Sequence, residues 1–122
     1  MIRVVRLGSP RAGDEGLRLG TVRRPPRGVK KSEYAKRDYY DLWLPDLSPS
    51  ARLVNKAQRD WSGFAKAYRR EMRAAACERL LELLAALSHH ADFSVGCYCE
   101  DETRCHRSVL RELLAEQGAR IR

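Results

Sequence analysis

The chain has 122 residues, is 43% hydrophobic and 33% charged, and carries a formal net charge of +8. That length suits one domain able to bury a core without cross-links. The balance excludes both a disordered chain and a membrane-spanning one. No apolar run approaches the roughly 20 residues of a spanning helix. Met1–Leu7 holds two arginines and no long apolar stretch, so it does not read as a secretory signal. A cytoplasmic protein without a membrane partner is expected. The excess of basic charge attracts polyanions and phosphate-bearing ligands without naming one. The four cysteines, at 77, 97, 99 and 105, are unevenly spaced, which argues against a disulfide framework.

Taken in chain order, Ile2, Val4, Val5 and Leu7 predict a first strand, closed by Gly8-Ser9-Pro10. Alternation over Leu17–Val22 predicts a second, stopped by Pro25-Pro26-Arg27-Gly28 because proline cannot donate to a ladder. Ser32 can cap a single helical turn through Arg37. The aromatic and apolar run Tyr39–Leu44 predicts a third strand. Ser48-Pro49 predicts a short helix to about Gln58, with serine as N-cap and proline at the first helical position.

Asp60 caps a long helical pattern whose stripe runs from Trp61, Phe64, Tyr68 and Met72 through Ala76 to Leu87. About 30 residues would span roughly 45 Å. That is too long for a domain of this size, so a break is expected between Met72 and Ala76. Phe93–Tyr98 predicts a fourth strand. A last helix starts near Arg104 and ends at Gly118. Strands alternating with helices predict a small layered α/β fold, with a mainly parallel sheet of about four strands and about four helices, as one domain over residues 1–122.

The chemically loaded segment is Cys97-Tyr98-Cys99 followed by Cys105-His106-Arg107. The strand–loop–helix order puts Cys99 at a carboxyl strand end, where open α/β sheets collect ligands. It puts Cys105, His106 and Arg107 at a helix start, which holds anions and depresses thiol pKa values. Three chemistries fit. In the first, Cys105 is a thiolate nucleophile, favoured by the helix and by Arg104, His106 and Arg107, and opposed by Glu100, Asp101 and Glu102. A phosphatase-like loop is rejected, because Cys99 and Arg104 have four residues between them where five are needed. In the second, Cys97, Cys99, Cys105 and His106 bind zinc. A C-x-C pair on an extended strand, however, separates its side chains by about 6.5 to 7 Å. That reading is set aside on spacing, and no metal or cofactor is assigned. The third is a reversible disulfide between Cys99 and Cys105. Cys97 and Cys77 read as small core hydrophobes. Cys99, Cys105 and His106 are the candidate catalytic residues.

Arg18, Arg23, Arg24, Arg27, Lys30 and Lys31 crowd into one strand and its stiffened following loop. Such a cluster suits phosphate or carboxylate. Its bland alternative is a solvated sheet edge.

Several motifs resemble a known family. Gly16-Leu17-Arg18, Arg23 and Pro26-Arg27-Gly28-Val29-Lys30-Lys31 come first. Trp43, Ser48-Pro49-Ser50, Leu53, Trp61-x-x-Phe64 and Tyr68-x-x-Glu71 follow, and Cys97-Tyr98-Cys99-Glu100 and Cys105-His106-Arg107 close the series. In this order they resemble the domain-of-unknown-function family 488 (DUF488) over nearly the whole chain. Val22 stands where the family usually has aspartate, and Pro25 where it usually has tryptophan, so roles resting on those side chains do not carry over. The resemblance implies a bacterial or archaeal α/β domain and brings no established activity. It also implies that the arginine segment and the Cys-His-Arg turn converge, with Arg18, Arg23, Arg27, Lys30, Trp43 and Arg107 as candidate ligand-binding residues beside the cysteines. Three functions stay open. One is an enzyme acting on a small anionic substrate. Another is a nucleic-acid-binding module using Tyr34, Tyr39, Tyr40 and Trp43. The last is a partner-binding domain without chemistry.

Overall fold

The structure, a computed structural model, describes all residues from Met1 to Arg122. Four strands form one parallel sheet: β1 (Ile2–Arg6), β2 (Leu17–Gly20), β3 (Leu42–Trp43) and β4 (Phe93–Cys97). Their spatial order is β1-β4-β2-β3. Four α-helices follow β3: α1 (Lys56–Arg59), α2 (Trp61–Glu71), α3 (Ala75–Leu87) and α4 (His106–Glu116). This is the small α/β fold that the alternating pattern predicts. No helix is long and apolar enough to cross a membrane.

β4 is the central strand, and all five of its residues are buried, as expected for a parallel strand covered on both faces. Its register sets the two faces of the sheet. Val95 lies beside Val4 and Leu19, and Phe93 beside Ile2 and Leu17. Helices α2, α3 and α4 cover this apolar face with Phe64, Tyr68, Leu81, Leu84, Val109, Leu110 and Leu114. The opposite face reads Arg18 beside Ser94 and Gly20 beside Gly96. Gly20 is needed for close approach, because a Cβ there would lie 2.4 Å from the Tyr40 ring. Gly16 has φ +73°, and a Cβ there would sit 1.9 Å from the Asp92 carbonyl oxygen.

Arg18 and Glu15 anchor that second face. Both are buried. The Arg18 guanidinium meets the Glu15 carboxylate at 2.7 and 2.8 Å through two separate nitrogens. It also donates to the carbonyls of Ser9 and Asp38. Ser94 Oγ donates to the same carboxylate at 3.0 Å. One charge pair therefore ties β2, β4 and the two loops that pack beneath them. Burial pushes the Glu15 carboxyl up, but the hydrogen bonds from Arg18 and Ser94 and the Arg18 charge outweigh it and hold the group below its ordinary value.

The boundaries depart from the sequence pattern in instructive ways. The break in the long helical stripe falls at Met72–Ala74, where Ala74 turns extended (φ −54°, ψ 139°). The stripe then resumes against the same core. The third strand shrinks to Leu42–Trp43, because Asp38 turns left-handed (φ 62°) and Tyr40 dives into the core instead of alternating. Ser48-Pro49 does not open a helix. Ser48 Oγ turns back to the Pro45 carbonyl at 2.6 Å, and helical structure begins as a single 3-10 turn at Ala51. The fourth strand ends at Cys97, one residue early, because the chain bends at Tyr98.

Breaking the buried pair from one side leaves an uncompensated charge, so Arg18→Met should cost about 3–5 kcal/mol of stability in urea denaturation. The Glu15 carboxyl lies below its unfolded value. Its contribution is therefore complete at neutral pH and is lost as pH falls through the carboxylate range. Glu15→Gln should flatten that acid limb in a pH series of urea midpoints. An unchanged limb would contradict the assignment.

Candidate active site at the carboxyl ends of the central strands

Leu7, Val22 and Cys97 follow or end β1, β2 and β4 at the carboxyl edge of the sheet. With Tyr40 and Cys105 they form a second, smaller apolar cluster. The start of α4 drops onto this cluster. Cys105 is its N-cap residue (φ −123°, ψ 149°), and Cys105, His106 and Arg107 are all buried. The unpaired N–H groups of that first turn bring a partial positive charge to the Cys105 side of the helix.

His106 is held on two sides. Its ring meets the Tyr68 ring edge-on, with centroids 5.5 Å apart, and the Tyr68 hydroxyl donates to the Leu47 carbonyl at 2.6 Å. Its Nε2 lies 2.7 Å from the Thr21 carbonyl oxygen. A carbonyl only accepts, so Nε2 carries a hydrogen, and the neutral tautomer this selects has its lone pair at Nδ1. Nδ1 faces Cys105 Sγ at 3.8 Å. Thr21 Oγ1 is occupied in turn by donating to the Gly96 carbonyl at 2.9 Å.

The three nearby thiols converge. Cys97, Cys99 and Cys105 have their sulfur atoms within 4.8 Å of one another, and all are free. Cys97 Sγ and Cys99 Sγ are 3.7 Å apart. This overturns the separation expected for an extended C-x-C pair, and the reason is the bend at Tyr98, which removes Cys99 from the strand. These three residues are the donor set that could hold a soft metal ion. Hydrogen bonding with Cys97 and Cys99 holds the Cys105 thiol well below its ordinary value against the effect of burial, and His106 adds to it. The same contacts with Cys105 push the other two thiols up. Arg107 Nε donates to Cys105 Sγ at 3.5 Å, and its terminal nitrogen donates to the Cys99 carbonyl at 2.6 Å.

The three thiols and His106 line a cavity of about 440 Å³. Its apolar wall includes Val22, Val54, Ala57 and Phe64, and its charged lining is Arg23, Arg24 and Arg104. No acidic residue lines it. The acidic loop that opposes a thiolate in the sequence is turned elsewhere. Glu100 meets Arg6 at 3.4 Å, Glu102 meets Arg111 at 3.1 Å, and Asp101 caps the turn at Thr103.

Of the arginine segment, Arg23 and Arg24 reach this cavity, and Arg23 Nε donates to the Pro49 carbonyl at 3.0 Å. Arg18 does not, being consumed in the buried pair with Glu15. Arg27 lines a neighbouring groove of about 880 Å³ with Arg6, Arg24, Tyr39 and Tyr98. Lys30 is exposed and lines neither. Trp43 donates from its ring nitrogen to the Val22 carbonyl at 2.7 Å and faces a separate apolar hollow. Arg107 acts on the thiols from behind the cavity wall. Cys97, Arg24 and Arg104 also line the cavity, although the sequence names them only in the zinc set, in the arginine cluster and beside Cys105, and not among the final candidates. Cys97 reads as plain core because burial and site membership coincide there.

Replacing His106 by Phe leaves the Thr21 carbonyl without its donor. We expect a loss of about 1–3 kcal/mol in chemical denaturation. A neutral result would show that the ring is not fixed by that hydrogen bond.

The family DUF488-N3a, described as the active DUF488-N3 subclade, matches the chain over residues 2–118. No curated protein and no solved structure matches it. With Cys97-Tyr98-Cys99 and Cys105-His106-Arg107 gathered at one sheet edge, and nearly the full length matched, the chain belongs to the DUF488 family, in its DUF488-N3a group.

Proposed function

We propose that the chain is an enzyme acting on a small anionic substrate, with Cys105 as the attacking thiolate and His106 as its proton acceptor. One observation carries the reading. The Nδ1 lone pair of His106 is aimed at Cys105 Sγ, 3.8 Å away, in the wall of a cavity whose only charges are arginines. A nucleophile, a base and a third group orienting that base are the parts such chemistry needs, with the Thr21 carbonyl as the third. The description of the family as active agrees with a catalytic role.

The step is a substitution. His106 Nδ1 takes the Cys105 proton before substrate binds, leaving a thiolate–imidazolium pair, and a bond then forms between sulfur and an electrophilic carbon of the substrate. The leaving group departs with the bonding pair and takes the proton back from the imidazolium. Water then releases the covalent intermediate. Cys99 and Cys97 stabilise the thiolate by S–H donation, and Arg107 does so by charge. Arg23, Arg24 and Arg104 hold the anionic part of the substrate.

Alkylation of the reduced, chelator-treated protein, followed site by site by mass spectrometry, tests this. Cys105 should react at least about tenfold faster than Cys77, whose thiol burial pushes up. Negatively charged iodoacetate should gain at Cys105 relative to neutral iodoacetamide, and Arg23→Ala with Arg24→Ala should remove that gain. Equal rates at Cys105 and Cys77 would overturn the reading.

The neighbouring groove favours a second reading, a single-stranded nucleic acid laid along Arg6, Arg24 and Arg27 with bases against Tyr39 and Tyr98. Binding of a labelled oligonucleotide should then weaken steeply with salt. No binding at low salt removes this alternative.

A further inference from the structure

We propose that Cys97, Cys99 and Cys105 form a three-sulfur site for Zn²⁺ whose fourth position opens into the cavity. Four-coordinate zinc with Zn–S bonds of about 2.3 Å places its sulfur atoms about 3.8 Å apart at tetrahedral angles. The Cys97 and Cys99 sulfurs stand 3.7 Å apart, already at that spacing. Cys105 Sγ lies within 4.8 Å of both. That leaves at most about 1 Å to close to reach tetrahedral spacing. The three residues come from the end of β4, the bend after it and the cap of α4, so the fold itself brings the donors together.

The surroundings suit a thiolate–metal centre. Three thiolates and one Zn²⁺ leave one negative charge. Arg107 Nε lies 3.5 Å from Cys105 Sγ, and Arg104 lines the same cavity. Arg107 also grips the Cys99 carbonyl at 2.6 Å, which fixes the bend that carries the middle donor. Outer contacts of this kind orient ligands in metal sites. All three cysteines line the cavity, so the fourth position is reachable by water or by an anion. Three protein ligands with an open place is the arrangement of catalytic zinc rather than of closed structural zinc.

This inference goes beyond the thiolate reading and does not rest on it. Zinc engages the lone pair that attack requires, so nucleophilic Cys105 belongs to the metal-free form. The alkylation comparison tests that form, and metal analysis tests this one.

The experiment uses the full chain, purified under reducing conditions, loaded with Zn²⁺ and passed through gel filtration before elemental analysis. One zinc per chain is expected. Co²⁺ in its place should give the intense sulfur-to-cobalt charge-transfer bands of thiolate ligation. Cys99 is exposed, so Cys99→Ser keeps the packed core, and it should weaken zinc binding by more than about tenfold in a chelator competition. Cys77→Ser, outside the cluster, should leave it unchanged. Substoichiometric zinc on protein whose circular dichroism shows it folded would overturn the site. So would equal weakening by Cys99→Ser and Cys77→Ser.

Discussion

The hydrogen bond from His106 Nε2 to the Thr21 carbonyl is the constraint on which the site depends. It joins the first residue of α4 to the residue just beyond β2, so helix and sheet meet at one point. It fixes which ring nitrogen holds the hydrogen, and so decides that Nδ1 offers a lone pair to Cys105. Without it the ring could rotate or change tautomer, and the spacing to the thiol would carry no chemical direction. Tyr68 reinforces it from the helical side, since its own hydroxyl is anchored to Leu47 and its ring abuts the imidazole.

That junction exists because of the strand order. β4 is inserted between β1 and β2, so the last strand in sequence ends beside the loop that follows β2. Residues about 75 positions apart, Thr21 and Gly96, then share a hydrogen bond within the sheet edge. The insertion is accommodated by the polar face. Gly20 and Gly96 lie side by side there, and Arg18 fills the next position with a guanidinium satisfied by Glu15 and two carbonyls. A buried charge so fully paired is a structural tie, and the loops carrying Ser9 and Asp38 are bound through it.

Much of this was legible in the sequence. The α/β class, the parallel sheet, the break after Met72 and the placing of Cys99 and Cys105 at a strand end and helix start follow from periodicity and capping. What was not legible depends on through-space pairing. Arg18 reads as a free cation because Glu15, three residues earlier, lies outside the strand. The pairing is disclosed only when the loop folds back. The C-x-C spacing reads as two sulfurs far apart because an extended strand is the default after Phe93. A single bend at Tyr98 reverses that conclusion. Ser48-Pro49 carries a sound helix-start signal, and the nearer Pro45 carbonyl wins the serine hydroxyl.

The electrostatics then follow from which arginines are already spoken for. Arg11, Arg18, Arg69 and Arg111 are neutralised by Asp38 and Asp41, Glu15, Glu112 and Glu116, and Glu102 respectively. Arg23, Arg24 and Arg104 form no salt bridge, and these three line the cysteine cavity. The acidic loop between Cys99 and Cys105 is itself drawn outward by Arg6 and Arg111. Three of the arginines that form no salt bridge thus line the site with no carboxylate among them, beside the three thiols. On the proposed reading, an anion in this cavity meets three arginines and no carboxylate. A neutral molecule gains only the apolar wall of Val22, Val54, Ala57 and Phe64.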